Sequence, residues 1–283
     1  MPGTLFVVAT PIGNLEDMTF RAVRILRESA LIAAEDTRRT ATLLARYDIR
    51  TPTTSFHEHN EHRKTPAILA RLTAGDPVAL VSDAGTPSVS DPGFRLVRAA
   101  IDAGIRVEVI PGPSAAIAAL VASGFPTGSF AFLGFPPARG TGRRAWMAAL
   151  RQEPRTAVFF EAPHRIRATL ADLQLQLGDR LLAVARELTK VHEEVIRGTA
   201  SQLLGHLTEP RGEMTVVVAP LEDAPREAVA LSDSDILDMF KQIVDKKELN
   251  RRGAVGAIAQ RTGLSSKAVY SAIERAKTSR SAS

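Results

Sequence analysis

The sequence predicts an α/β protein with two sheets, followed by a small helical segment. Short apolar runs alternate with helical spacing up to residue 113, the pattern is less regular over 114–221, and 231–278 has helical spacing throughout. Alternating strands and helices favour a mainly parallel sheet, and the less regular part favours a mixed sheet. We therefore expect α/β domains at 1–113 and 114–221, a linker at 222–230 and a helical domain at 231–278.

Four short apolar runs predict the strands of the first domain. They lie at Leu5–Ala9, Leu31–Ala34, Val78–Val81 and Val107–Ile110. Apolar spacing near 3.6 residues predicts four helices between these strands. One lies between the first and second strands, two between the second and third, and one between the third and fourth: Phe20–Glu28, Thr37–Tyr47, Glu61–Leu72 and Phe94–Ala103. Gly104 then suits the end of the last helix.

The second domain combines helices with more widely spaced strands. Ser114 is a good N-cap residue, so it predicts a helix over Ser114–Ser123. Further helices are predicted at Arg144–Leu150, Ile166–Leu177 and Ser201–His206. The predicted strands are Phe130–Phe135, Ala157–Phe160, Leu181–Ala185, Val195–Ile196 and Thr215–Ala219.

Composition excludes several classes of protein. The 283 residues include no cysteine, which rules out disulfides, zinc–cysteine sites and thiol nucleophiles. This suits a reducing compartment, and the N-terminus lacks the shape of a signal peptide, so we expect a cytoplasmic protein. No apolar run approaches the roughly 18 residues of a membrane helix. The net charge of +5 permits an anionic partner.

Loops of small and polar residues follow the predicted strands of the first domain. Ser82–Gly93 contains two Gly, two Pro, two Asp, three Ser and one Thr, and it follows the strand Val78–Val81. Thr10–Leu15 and Pro111–Ala115 follow two other strands. Ligands of open α/β sheets bind beyond the carboxyl ends of strands, and the helix after Pro113 offers an N-terminus to an anionic group. The Thr10–Leu15 turn is equally consistent with a plain connector.

Familiar nucleotide and metal motifs are absent or poorly placed. The chain has no P-loop, and Gly140–Ala145 matches G-x-G-x-x-G only in a basic loop rather than a tight strand–helix turn. His57–His62 holds three His and two Glu, but not at the spacing of a helical zinc motif. We expect no metal; a polar loop or a substrate contact explains this segment better.

Several charged segments have two interpretations each. Glu35–Arg39 forms either a polar site wall or, through Asp36 or Thr37, a cap for the next helix. The basic segment Pro136–Arg144 either grips phosphates or is a solvated loop. Phe160–Arg165 and Arg186–Lys190 place charge at strand ends of the second domain, which indicates a cleft unless it is ordinary surface polarity.

The helical domain is basic and has the spacing of a helix-turn-helix. Ala259, Gly263 and Val269 supply the small residue, the turn glycine and the core aliphatic side chain. Its many cations favour contact with nucleic-acid phosphates over the alternative, a small helical cap with solvated charge. They include Lys246, Lys247, Arg251, Arg252, Arg261, Lys267, Arg275, Lys277 and Arg280.

Taken together and in this order, the motifs resemble one family across residues 4–220. They are Thr10–Leu15, Ala34–Arg38, Ser82–Gly93, Pro111–Ala115, Phe160–Arg165 and Ala185–Glu193. The chain resembles the bacterial small-subunit ribosomal RNA methyltransferase I family, ribose 2′-O-methyltransferases of the tetrapyrrole methylase superfamily. The helical tail resembles the extension of the same family.

The resemblance implies a homodimer of two-domain subunits with S-adenosylmethionine in the cleft between the domains. The acceptor would be the 2′-hydroxyl of a cytidine in the decoding region of 16S rRNA, within the 30S subunit. Asp83, Gly85 and Thr86 would hold the methionine end of the cofactor. The other implied cofactor residues are Ser114 and Ala115 opposite, Ile12 in the cleft, and Phe160, Met214 and Thr215 at the adenosine end.

The residues that assist proton removal are less well defined. A ribose hydroxyl is a poor nucleophile and benefits from a base or a neighbouring cation. Glu187 and Lys190 are the preferred catalytic candidates, followed by Asp36, with Glu35 and His57 also considered. Expected RNA contacts are Arg38, Arg139, Arg143, Arg144, Arg251, Arg252 and Lys267.

Two other functions compete with this one. Other members of the superfamily methylate small tetrapyrroles or protein side chains, and the basic tail and basic loop argue against that substrate. A non-catalytic RNA-binding factor would use the tail alone, and the strand-end loops suited to a cofactor argue against it.

Overall fold

The computed structural model describes residues 1–208, 210, 212–221, 232–245, 250–262 and 266–281. By its internal contacts the chain forms two compact units, Met1–Leu221 and Glu222–Ser283. The predicted domain boundary at residue 113 falls inside the first unit and stays a prediction. The predicted linker at 222–230 lies outside the described residues.

The first sheet has five parallel strands in the order β3-β2-β4-β1-β5. They are β1 (Thr4–Val8), β2 (Leu31–Ala34), β3 (Thr53–Ser55), β4 (Val78–Val81) and β5 (Arg106–Ile110). The parallel arrangement and four of the strands confirm the prediction. The short strand β3 was not predicted because Thr-Thr-Ser carries no apolar run. All residues of β2 and β4 are buried, as expected for a sheet covered on both faces.

Four helices cover this sheet and begin at the residues predicted. They are α1 (Phe20–Glu28), α2 (Thr37–Arg46), α3 (Glu61–Thr73) and α4 (Phe94–Asp102). The hydroxyl of Thr19 accepts the Ala22 N–H and caps α1. Gly104 adopts φ +68° just beyond α4, which confirms its predicted place at the end of that helix. Because the five strands are parallel, their carboxyl ends lie at one edge of the sheet, together with the loops that follow them.

The second sheet is mixed, as predicted, in the order β6-β7-β10-β8-β9. Only β6 and β7 pair in parallel. The strands are β6 (Phe130–Phe132), β7 (Thr156–Glu161), β8 (Leu182–Arg186), β9 (Glu194–Gly198) and β10 (Met214–Val218). The predicted strand Phe130–Phe135 is too long, because β6 ends at Phe132. Gly134 O still accepts the Phe160 N–H at 2.9 Å, but Gly134 leaves the extended conformation at φ +61°.

Helices α5 (Ala115–Ser123), α6 (Gly140–Gln152), α7 (Pro163–Leu177) and α8 (Ala200–His206) accompany the second sheet. Helix α6 begins four residues earlier than predicted, so Arg143 and Arg144 lie in a helix and the basic loop is shorter than expected. The Arg143 guanidinium lies 2.7 Å from the Asp172 carboxylate and 3.0 Å from the Thr169 hydroxyl. It therefore joins α6 to α7.

The second unit is helical, as predicted. Helices α9 (Asp233–Asp245), α10 (Arg251–Thr262) and α11 (Ser266–Ser281) share an apolar core that includes Ile258, Val269 and Ile273. Arg251 and Lys267 are exposed. The side chain of Arg252 and the turn at Gly263 lie outside the described residues. None of the helices described is both long and apolar enough to cross a membrane.

Candidate active site

A cleft of about 460 Å³ lies inside the first unit, between the two sheets. One wall comes from segments after four parallel strands: Ile12 after β1, Glu35 after β2, Asp83–Thr86 and Val89–Asp91 after β4, and Ser114–Ala115 after β5. The other wall comes from the second sheet. The structure thus brings the strand-end motifs together where open α/β sheets bind ligands.

Backbone hydrogen bonds join two loops of the first wall. The Thr10 N–H donates to Gly85 O at 2.8 Å, and the Gly85 N–H donates to Thr10 O at 3.0 Å. The Thr10 hydroxyl also donates to Ser82 O at 3.1 Å. Gly85 has φ +80°, and a Cβ there would lie 3.6 Å from Ile12 Cγ2. This position therefore favours glycine, and it leaves the backbone open to a ligand.

Asp83 is the centre of a polar network in the same wall. Its Oδ1 accepts the Asp36 N–H at 3.0 Å, and its Oδ2 lies 3.2 Å from the Arg39 guanidinium. The Asp83 N–H donates to Glu35 Oε2 at 3.2 Å. Burial raises the pKa of Glu35 and the Asp83 charge adds to this, while the Asp83 N–H and the Arg39 and His57 charges oppose it.

The N-terminus of α5 opens into the cleft. Ser114 is the N-cap residue, as predicted, but its side chain makes no capping hydrogen bond. The expectation that its hydroxyl caps the helix is therefore wrong. Because the Ser114 side chain leaves the first-turn N–H groups unbonded, this end of the helix can accept an anionic group such as a carboxylate.

The second wall is aromatic and apolar at its centre. Phe160 contacts Phe132 and Phe135, at ring-centroid distances of 5.0 Å and 5.4 Å. Thr215 pairs with Phe160 across β10 and β7, and Met214 is next to it. All nine predicted cofactor residues line the cleft: Ile12, Asp83, Gly85, Thr86, Ser114, Ala115, Phe160, Met214 and Thr215.

Two of the three predicted catalytic residues also line the cleft. Glu187 and Lys190 form an ion pair of 2.9 Å in the loop after β8. Glu187 and Thr189 hold the left-handed conformation at φ +52° and +70°, and the Asn14 N–H donates to the Thr189 hydroxyl at 2.9 Å. This loop is therefore held in one shape against the turn after β1.

Asp36, the third predicted catalytic residue, is not part of the cleft wall. Its carboxylate accepts the Arg38 N–H at 2.8 Å and pairs with the Arg38 guanidinium, so it caps α2. These hydrogen bonds hold the pKa of Asp36 well below its usual range. The helix-cap interpretation is confirmed, and the position does not favour Asp36 as a base.

The predicted RNA contacts of the first unit also lie outside the cleft. Arg38, Arg139 and Arg144 are exposed, and the Arg38 side chain is 89% accessible. Arg143 is only 13% accessible and engaged with α7, so its structural role competes with RNA contact. The RNA role of all four remains a prediction.

Four charged residues of the cleft were missed from the sequence: Arg39, Asp91, Glu161 and Glu213. Arg39, Asp91 and Glu161 lie within motifs that the sequence analysis singled out, but none of those motifs indicated which side chain would face the cleft. Glu213 only precedes a strand and carries no motif. Within the described part of the chain, no three His, Asp or Glu side chains are grouped to hold a metal ion.

The family model for tetrapyrrole (corrin/porphyrin) methylases matches residues 4–204. This match covers most of the chain, with the whole first sheet and four of the five strands of the second. The chain therefore belongs to the tetrapyrrole methylase family.

Curated relatives define the group within that family. Ribosomal RNA small subunit methyltransferase I of Synechocystis sp. is 47% identical over 271 residues, which are 95% of this chain and 96% of that relative. The protein of the same name from Thermotoga maritima is 49% identical over 222 residues, 78% of this chain and all of that relative. Within the tetrapyrrole methylases, the chain belongs to the ribosomal RNA small subunit methyltransferase I group.

A solved structure shares the fold at low identity. Uroporphyrin-III C-methyltransferase from Thermus thermophilus, in complex with S-adenyl homocysteine, gives a TM-score of 0.55 at 18% identity. The match covers 77% of this chain and 97% of that protein. It supports the two-sheet fold of the first unit.

Proposed function

We propose that this protein transfers a methyl group from S-adenosylmethionine to the ribose 2′-hydroxyl of a cytidine in the decoding region of 16S rRNA. The single observation that carries the proposal is the cleft, into which all nine cofactor residues of the family resemblance converge. The names of the curated relatives support ribosomal RNA as the substrate. The 30S subunit as the substrate particle and a homodimeric enzyme belong to the same proposal.

The chemistry of the cleft suits the proposed cofactor. Acidic side chains, among them Glu35 and Asp83, suit its amino and sulfonium charges, and the open N-terminus of α5 suits its carboxylate. The aromatic Phe160 suits stacking with an adenine ring. Asp83, Gly85 and Thr86 would therefore hold the methionine end, and Phe160 with Met214 and Thr215 the adenosine end.

When bound, S-adenosylmethionine supplies an activated methyl group, so the protein's main task is to orient the acceptor hydroxyl. The Lys190 ammonium, already 2.9 Å from Glu187, would stabilise negative charge that develops on the attacking oxygen. Two loops with fixed backbone geometry, after β4 and after β8, would hold these groups in place.

The proposed RNA surface lies outside the cleft. Arg38, Arg139 and Arg144 are exposed and available for phosphate contacts, as are Arg251 and Lys267 in the helical unit. Arg143 is the weaker member because Asp172 already neutralises it. Arg252 completes the proposed set.

Labelled S-adenosylmethionine and 30S subunits that lack the modification test this function. We expect label on the 2′-oxygen of one cytidine in the 16S rRNA, and none with subunits that already carry the methyl group. Nuclease digestion followed by mass spectrometry would locate it. Cofactor binding without methyl transfer to a ribose would refute the proposed reaction.

Removal of residues 226–283 tests whether the first unit alone binds the cofactor while the helical unit contributes to binding of the 30S subunit. Because residues 1–221 form a compact unit that contains the cleft, we expect unchanged cofactor affinity and weaker binding to 30S subunits. Loss of phosphate contacts should also reduce the dependence of binding on salt, by about one unit of slope per contact. Calorimetry and filter binding at several salt concentrations measure the two affinities. An equal loss of both affinities would contradict this division.

A further inference from the structure

We propose that Phe135 is an aromatic platform on which the base of the acceptor nucleotide stacks. This inference rests on the proposed function and adds a subsite for the RNA beside the proposed cofactor residues. Phe135 lines the cleft, yet 52% of the residue is exposed. Its ring therefore offers apolar surface to a ligand that enters the cleft, and burial of that surface would favour binding.

Phe135 is the exposed end of a cluster of aromatic rings. Phe132 and Phe160 are half-buried, and their ring centroids lie 5.0 Å apart. Phe135 contacts Phe160 at 5.4 Å between centroids, with the ring planes tilted by 55°. Because Phe160 is the proposed partner of the adenine ring, Phe135 is left for a second planar group. In methyl transfer to RNA that group is the base of the acceptor nucleotide, which is bonded directly to the ribose whose hydroxyl must enter the cleft.

Exposure alone does not distinguish Phe135 from other phenylalanines. Phe20 and Phe94 are more exposed, at 97% and 70%, but neither lines the cleft. Among the exposed phenylalanines in the part of the chain that the structure describes, Phe135 is the one at the cleft. Single apolar side chains on an outer surface are common, whereas aromatic side chains in a cleft are typical of ligand contacts.

The backbone on both sides of Phe135 is fixed by hydrogen bonds within the protein. The Phe160 N–H donates to Gly134 O at 2.9 Å, and the Arg165 guanidinium donates to Pro136 O at 2.5 Å. Pro136 is buried, and a proline restricts the residue before it to extended backbone conformations. A platform that is already in place loses less conformational entropy when the base binds.

The segment after Phe135 supplies positive charge for the phosphates of the same RNA strand. Arg139 and Arg144 are exposed. The Arg143 guanidinium donates to Pro137 O at 3.2 Å, which ties the first turns of α6 to the segment that carries Phe135. Aromatic rings that stack bases, together with cations that follow the backbone, are typical of sites for single-stranded nucleic acid. This combination favours an RNA base over an uncharged planar ligand.

Stacking on Phe135 would orient the acceptor nucleotide without identifying its base. Every base has a π face, so an aromatic platform tolerates any of them. The contribution of Phe135 is therefore to hold the ribose at the cleft, where a small misplacement of the hydroxyl slows methyl transfer. Its loss should affect the reaction with RNA and leave cofactor binding intact.

The test compares Phe135→Ala with Phe20→Ala, which removes an exposed ring outside the cleft. On 30S subunits that lack the modification, we expect Phe135→Ala to reduce kcat/KM by about 10- to 100-fold, the usual effect of losing one stacked base. Cofactor affinity by calorimetry should change less than about threefold. Phe20→Ala should retain wild-type values of both quantities.

Two further variants separate stacking from packing. Phe135→Tyr retains the ring and should keep kcat/KM within about threefold of wild type. Phe135→Leu retains apolar bulk against Phe160 but has no ring, so it should lose nearly as much as Phe135→Ala. If Phe135 only packed against Phe160, leucine would restore most of the activity. The comparison of leucine with tyrosine also serves as the test if Phe135→Ala does not fold.

The outcomes separate the two proposals. Wild-type protein that methylates no ribose overturns the proposed function and the role of Phe135 with it. Wild-type kcat/KM in Phe135→Ala or in Phe135→Leu overturns the platform alone. So does a loss of cofactor affinity in Phe135→Ala as large as the loss of kcat/KM, because it would place Phe135 in the cofactor site.

Discussion

Replacement of Asp83 by alanine is expected to weaken S-adenosylmethionine binding by about one to two orders of magnitude. Hydrogen bonds to a charged group contribute about 1.5–3 kcal/mol each, and this carboxylate would face the cationic end of the cofactor. The change also frees Arg39, 3.2 Å away, to place an uncompensated positive charge at the cleft. Calorimetric titration of the variant with the cofactor measures the loss.

Two further variants show whether the loss of cofactor affinity in Asp83→Ala comes from the charge of this side chain. Asp76→Ala removes an aspartate that pairs with Arg71 at 2.7 Å outside the cleft, so it should leave the affinity unchanged. Asp83→Asn retains an oxygen for the Asp36 N–H but loses the charge. If charge dominates, Asp83→Asn should bind nearly as weakly as Asp83→Ala. An affinity equal to wild type in Asp83→Ala would contradict its proposed place in the site.

The position of the cleft was predictable because strand ends in a parallel sheet are fixed by topology. Once Val78–Val81 is a buried parallel strand, the loop Ser82–Gly93 must emerge at the same edge as Thr10–Leu15 and Pro111–Ala115. Pairing between Thr10 and Gly85 then follows from adjacent strands β1 and β4. The family resemblance added the identity of the ligand, which strand positions alone do not contain.

Side-chain roles were less predictable because they depend on neighbours distant in sequence. Asp36 and Glu35 are adjacent, yet Asp36 caps α2 while Glu35 enters the cleft wall. Arg143 and Arg144 are adjacent too, yet only Arg143 pairs with α7. A one-residue step changes the direction of the side chain, and the sequence near each pair does not specify which member faces inward.

Asp91 illustrates the same limit within a single loop. Its sequence context differs little from that of Asp83: both precede small residues in a loop rich in Gly, Ser and Pro. The two aspartates differ in the residues that surround them in the folded structure. Asp83 meets Arg39 and a backbone N–H, whereas Asp91 faces other carboxylates and a hydroxyl. Burial and neighbouring negative charges raise the pKa of Asp91. Both depend on how the two sheets pack together, which the local sequence does not show.

Replacement of Glu161 by glutamine is expected to lower the free energy of unfolding by about 3 kcal/mol. The Glu161 side chain is inaccessible to solvent, and its carboxylate lies 3.2 Å from the Arg165 guanidinium. Removal of one partner of a buried pair leaves the other charge uncompensated, at a cost of about 3–5 kcal/mol. For a domain of about 200 residues this corresponds to a fall of roughly 10 °C in Tm, measurable by thermal unfolding.

Glu28→Gln is the matched control, because Glu28 pairs with Arg24 at 2.9 Å while more than half of each side chain is exposed. An exposed pair contributes about 0–1 kcal/mol, so this variant should melt within about 3 °C of wild type. Glu161 also accepts the Ala162 N–H and lines the cleft, so its loss should weaken cofactor binding as well. Equal melting temperatures for the two variants would show that the buried carboxylate does not hold this wall of the cleft together.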